Sequence, residues 1–177
     1  MERDVILRDG RMLRIRRPRG EDAARLLDYL KIIGGETDFL LFDGAGLPYT
    51  IEQEAAVLER FFTEPRGGMF VGEIDGEIAC TFNLSCNGRP RVAHVAEIAV
   101  AVQKKFWGIG VGSAVMETLI SLAREQGVKT IELGVYAGNL RAQALYRRYG
   151  FEECGRHEGR FFVKGTYHDE ILMDLHL

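Results

Sequence analysis

The chain has 177 residues, of which 46% are hydrophobic and 28% charged, with a formal net charge of -3. A chain of this length can bury a substantial core within one domain, since domains commonly run ~100–200 residues; we expect residues 1–177 to form one. The slight negative charge does not indicate a general nucleic-acid-binding surface, though it leaves room for a local basic patch, and no apolar run approaches the ~20 residues that span a bilayer.

Residues 1–10 carry Glu2, Arg3, Asp4, Arg8 and Asp9, which cannot form the apolar core of a signal peptide. Leu13 and Ile15 alternate with Arg14 and Arg16, predicting a first strand that Pro18 and Gly20 end. Ala23, Leu26, Leu27, Leu30 and Ile33 recur at helical spacing, with Gly34-Gly35 as the expected stop. Glu36 to Tyr49 is polar and aromatic without periodicity. Thr50 and Gln53 form a capping box, opening a helix whose expected apolar side carries Ile51, Ala55, Leu58, Phe61 and Phe62.

Met69–Ile74 and Glu77–Leu84 are strand-like, and Asp75-Gly76 between them predicts a two-residue hairpin turn. Arg91–Val102 is expected as a further β segment. A glycine-rich turn then leads into a helix with Val115, Leu119, Leu122 and Ala123 on one face and Gly127 as its stop. Ile131, Leu133 and Val135 alternate as a strand. Asn139 can cap a helix running through Tyr149, with Gly150 as terminator. Phe151–Val163 and Thr166–Leu175 complete the chain as a β pair. The order predicts an α+β (mixed α/β) fold. The cysteines Cys80, Cys86 and Cys154 are odd in number and widely spaced, which argues against a disulfide framework or a zinc site. Reduced thiols in the cytoplasm and no bound metal are the expectation.

The turn Gly108-Ile109-Gly110-Val111-Gly112-Ser113 suits an anion. Glycines permit positive φ and close backbone approach, and the first amides of a helix point outward without intrahelical partners. The spacing departs from the dinucleotide-binding GxGxxG. The lysine of a P-loop is also missing. A second motif follows: Asn139, Ala142, Leu145, Tyr146, Gly150 and Phe151. Together the two motifs resemble the GNAT superfamily of N-acetyltransferases, and the resemblance covers most of the chain.

That resemblance implies a central mixed β-sheet, splayed open and flanked by helices. Acetyl-CoA would serve as cosubstrate, lying in the V between Glu97–Val102 and Thr130–Tyr136. Val100 and Val102 would pair with its pantetheine, residues Gly108 to Ser113 would hold its pyrophosphate, and Asn139 would border the pantetheine. Many members carry Arg or Gln where this chain has Trp107, whose expected role is an apolar plug.

Direct acetyl transfer needs a neutral amine, donors for the developing oxyanion and a proton for the leaving thiolate. Tyr146 is the expected general acid, by the motif and by the strength of a phenol. Glu97 is the expected base, acting through water, with His94 as second candidate. Glu97 and Val102 nevertheless fall on opposite faces of a regular strand. Some relatives place an acid five positions before the motif's Asn; here that residue is Gly134. Glu36, Asp38 and Phe39 are candidates to receive a cationic amine, with Tyr136 and Tyr167 as further wall residues. The expected acceptor is a primary amine of a small molecule or peptide, with no nucleic-acid or membrane partner; a homodimer is compatible with the sequence. The alternative is a CoA-binding regulatory or sensory module without turnover.

Overall fold

The computed structural model describes residues 2–177. In chain order the elements are β1 (Glu2–Ile6), β2 (Met12–Arg16), α1 (Ala23–Glu36), α2 (Ile51–Phe62), β3 (Gly67–Ile74), β4 (Glu77–Cys86), β5 (Val95–Val102), α3 (Val111–Glu125), β6 (Thr130–Tyr136), α4 (Leu140–Arg148), β7 (Glu152–Val163) and β8 (Thr166–His176). The strands form one sheet in the order β1-β2-β3-β4-β5-β6-β8-β7. Every neighbouring pair is antiparallel except β5 with β6. This is the mixed α+β class anticipated from the order of elements.

Alternation along the strands divides the core. Phe82, Ile98, Ile131 and Leu133 pack with Val115, Leu119 and Tyr146 of α3 and α4. Val71 and Ile78 pack with Leu26, Tyr29, Leu30, Ile33 and Leu58 of α1 and α2. Fully buried side chains such as Leu26, Leu58 and Leu119 contribute about 1.5–3 kcal/mol each from area removed from water.

The feature that positions the site is the break between β5 and β6. They pair only at Val95↔Thr130, Ala96↔Ile131 and Glu97↔Glu132. Beyond that, β5 stays with β4 as far as Val102↔Cys80, and β6 stays with β8 as far as Tyr136↔Glu170. The sheet therefore opens into a V. The strand edges facing the gap have no β partner, and their polar groups need one from outside the sheet.

Several local expectations meet a physical correction. Strand β1 lacks apolar alternation and lies exposed at the sheet edge, held by its antiparallel register with β2. Helix α1 runs through Gly34 and Gly35 to Glu36. A Cβ on Gly34 would overlap the carbonyl of Asp43, so this glycine serves the close approach of the following loop rather than a stop. The capping box at Thr50 forms in both directions. The buried side of α2, however, is Glu54 and Leu58; Ile51 is exposed and Phe61 and Phe62 are half-buried. Pro90–Val92 form a single 3-10 turn, so β5 begins at Val95 rather than Arg91. Asp75 and Gly76 both take positive φ, at 51° and 80°, as a tight hairpin between β3 and β4 requires.

Candidate active site

A cleft of about 330 Å3 opens at the splay, between the end of β5, the loop into α3, the face of α4 and the C-terminal end of α1. Gly108 and Gly110 take φ of 86° and 108°. Gly110 is the N-cap of α3, and the helix begins at Val111, two residues before Ser113. No amide from Gly108 to Ser113 donates to an acceptor among the described residues; the first amide so engaged is Ala114, to the Gly110 carbonyl at 3.1 Å. Six consecutive donors without an acceptor among the described residues thus lie at a helix N-terminus beside the cleft, a strong environment for anionic oxygens. Gly112 packs against α4, with 3.0 Å between an added Cβ and Leu145.

The sequence-predicted residues divide into three groups. Val100, Val102, Gly108, Gly110, Gly112, Ser113, Asn139 and Tyr146 all line the cleft. Ile109 and Val111 do not line it; their side chains pack with the core. Asn139 caps α4, its side chain accepting from the Ala142 amide at 3.1 Å. Trp107 does more than plug: it lines the cleft and its indole donates to the Val102 carbonyl at 2.7 Å.

Tyr146 is 7% exposed and sits on α4 with its ring 5.8 Å from that of Phe151. Its hydroxyl makes no hydrogen bond among the described residues, and desolvation pushes its pKa up to about 12. A phenol in that condition remains protonated at any physiological pH.

The second group reaches the cleft in other roles. Glu36 and Phe39 line it, but a Glu36 carboxylate oxygen accepts from the Lys104 amide at 2.7 Å and so fastens α1 to the loop after β5. Tyr136 stands behind Phe39, their centroids 5.5 Å apart, and also contacts Phe161 and His168.

The third group lies outside. Asp38 is exposed and paired with Lys164 at 2.5 Å, which ties this loop to the β7–β8 turn. Tyr167 is exposed and stacks on Phe162. Glu97 is exposed and does not line the cleft. The register of β4 with β5 is unbroken from Cys80↔Val102 to Cys86↔Ala96, so no bulge turns Glu97 onto the face of Val100 and Val102. His94 is exposed before β5, and its carbonyl accepts from Lys129 and Thr130.

Three arginines lining the cleft escaped the sequence reading. Arg8, in the β1–β2 turn, donates its amide to the Ile109 carbonyl at 3.0 Å and lays its stem over Gly110. The Arg148 guanidinium donates to Ser113 Oγ at 2.7 Å, and Arg141 covers the Trp107 ring at 5.1 Å. Arg141 and Arg148 stood within the second motif, yet only the packing of α4 on the glycine loop brings their charge to it. Together with the six free amides these guanidiniums fit a pyrophosphate or other phosphate group. No group of three or more His, Cys, Asp or Glu among the described residues is arranged to hold a metal.

Comparison with known proteins agrees with this geometry. Residues 39–151 match the acetyltransferase (GNAT) family model. An Escherichia coli L-amino acid N-acetyltransferase is 32% identical over 116 residues, 65% of this chain and 72% of that protein. An Escherichia coli [ribosomal protein bS18]-alanine N-acetyltransferase is 30% identical over 108 residues, 56% of this chain and 73% of that protein. A Streptococcus pneumoniae acetyltransferase of the GNAT family superposes with a TM-score of 0.87 at 29% identity, covering 93% of this chain and 99% of that one. A Salmonella typhimurium protein whose structure includes its cofactor acetyl-CoA has a TM-score of 0.78 over 93% of this chain and 94% of its own; at 19% identity that likeness is one of fold. With its splayed sheet, its glycine loop and its tyrosine-bearing helix, the chain belongs to the GNAT family and is an acetyl-CoA-dependent N-acetyltransferase.

Proposed function

We propose that residues 1–177 act as one cytoplasmic acetyltransferase domain that moves an acetyl group from acetyl-CoA directly onto a primary amine of a small molecule or peptide. The observation that carries this is one cleft lined both by Tyr146, whose hydroxyl stays protonated, and by Gly108, Gly110, Gly112 and Ser113 of the loop whose six amides are unpartnered among the described residues. The amides and the three arginines would bind the pyrophosphate. Beyond Glu97 the edge of β5 has no β partner and offers the backbone of Val100, and of Val102 with its carbonyl already held by the Trp107 indole, to the pantetheine, with Asn139 at its other side. Acetyl-CoA supplies the activated thioester; the chain's residues orient it, exclude water and deliver a proton. Tyr146 holds that proton and gives it to the departing sulfur. No covalent enzyme intermediate is needed, in keeping with a cleft that none of the three cysteines lines.

The acceptor classes follow the relatives, one of which is named for an L-amino acid and another for the alanine of a ribosomal protein. Incubating the protein with acetyl-CoA and a panel of free amino acids, polyamines and peptides, and following CoA thiol release, tests the reading. Release dependent on a primary amine is expected. Tight acetyl-CoA binding without release across the panel would instead identify a CoA-binding sensor.

A further inference from the structure

The cleft holds an acid in Tyr146, but the carboxylate expected as its counterpart, Glu97, lies outside. Glu170 does not line the cleft either, but its carboxylate reaches the edge of β6 where the splay has already opened. On the same face of the sheet Glu97 and Glu132 form the last β5–β6 pair. The next β6 residue on the same face is Gly134, which has no side chain and lies where the strands have already parted. Its place is filled from β8: a Cβ on Gly134 would overlap Glu170 Oε1 and lie 2.7 Å from the carboxyl carbon. Glu170 faces Tyr136 across the β6–β8 ladder and His157 across the β7–β8 ladder, so all three side chains share one face. His157 Nδ1 lies 2.9 Å from Glu170 Oε2, and Arg160 Nε lies 3.7 Å from the same oxygen. Oε1 has no hydrogen-bond partner among the described residues, and the side chain is only 14% exposed. Glu170 thus has one carboxylate oxygen fixed by His157 and Arg160 and the other left free as an acceptor.

We infer that Glu170 is the general base of the acetyl transfer, reaching the splay from β8 over the bare backbone of Gly134. This rests on the acetyltransferase reading above. Acid and base then stand on opposite faces of the sheet, with the thioester in the gap between them. The amine nitrogen bonds to the thioester carbonyl carbon as the carbon–sulfur bond breaks. The nitrogen's proton passes to Glu170, the sulfur takes the Tyr146 proton, and solvent returns one proton from the carboxyl to the phenolate. Amine and thioester become amide and thiol with no net proton change.

The test uses the full chain and its Glu170→Gln variant, an isostere that keeps a partner for His157, with near-ultraviolet circular dichroism as a check of fold. Single-turnover acetyl transfer is expected to fall ~10²–10⁴-fold, with acetyl-CoA affinity nearly unchanged, since Glu170 is not among the residues proposed to hold acetyl-CoA. Wild-type single-turnover rate in Glu170→Gln, or a comparable loss in Glu97→Gln instead, overturns the assignment. A second readout needs no turnover. In 13C-carboxyl-glutamate protein, the resonance missing from Glu170→Gln is expected to shift when CoA alone is added; an unmoved resonance overturns the assignment. Failure of wild type to acetylate any amine counts against the proposed function, while the resonance still tests Glu170.

Discussion

The two sides of the splay are built in opposite ways. The side we propose for CoA centres on one contiguous run, residues 102–113, whose functional groups are mostly backbone amides fixed by two positive-φ glycines and a helix N-terminus, with Arg8, Asn139, Arg141 and Arg148 around it. The side we propose for the acceptor is composed of side chains gathered from the loop after α1 and from β6, β7 and β8: Phe39, Tyr136, His157 and Glu170. A site made of backbone can be recognised from spacing, and tolerates side-chain change provided the turn survives. A site made of cross-strand neighbours exists only once the sheet is assembled, and single side chains can redirect it.

The comparison is broken most severely at the residue that bridges the two sides. Tyr146→Phe keeps the buried ring and removes the proton. Single-turnover transfer should fall ~10²–10⁴-fold, equivalent to about 3–5 kcal/mol of barrier, while calorimetric acetyl-CoA affinity stays nearly constant. Burial holds the phenol up to about 12, so the protonated acid persists above the pH at which a free tyrosine ionises. The wild-type rate should accordingly show no loss attributable to this group below about pH 11. A descending limb near pH 10 that disappears in Tyr146→Phe would contradict that environment.

Gly110→Val attacks the backbone-built side alone. At φ of 108° the position is strained for any L side chain and more so for a β-branched one, although the space near Arg8 is ordinary at 3.5 Å. The loop must rearrange at a cost of about 1–3 kcal/mol, and CoA affinity should weaken roughly 10–100-fold by calorimetry. Unchanged affinity in the folded variant would remove the glycine loop from the site.

Gly34→Ala strikes the acceptor side through packing. Its Cβ would overlap the Asp43 carbonyl, so the loop carrying Phe39 must move. Thermal unfolding should report a loss of about 1–3 kcal/mol, and acceptor KM should rise with acetyl-CoA affinity unchanged. The mildest change is Asp38→Ala, which releases the exposed tie to Lys164. Stability should change by under ~1 kcal/mol, and acceptor KM by a few-fold at most; a larger shift in acetyl-CoA affinity would show that the two sides are coupled.

The same division explains what could be read in the sequence. The hairpin at Asp75-Gly76, the Thr50 capping box, the glycine loop and the Asn139-to-Phe151 segment are local, and each took its expected form. Gly34 misled because a glycine that permits close approach is indistinguishable in sequence from one that ends a helix. Strand β1 carries almost no apolar pattern, since an exposed edge needs none. Arg8 joins the cleft only because the β1–β2 turn docks on Ile109. Glu97 drew attention as a charge in an apolar run, yet half of that strand's face is open to solvent at that end. Glu170 gave no signal at all: its position over Gly134 depends on β8 lying beside β6, an adjacency between segments distant in the chain.

The indole that donates to Val102 has an optical consequence. Trp107 is the chain's single tryptophan, and it lines the cleft beside the glycine loop with Arg141 against its ring. Emission excited at the red edge of the protein band therefore arises from one fluorophore lining the cleft proposed for the cosubstrate. An adenine or pantetheine entering the cleft must alter the polarity around that ring, so the unmodified protein carries its own occupancy reporter for titrations in which no amine is present and nothing turns over.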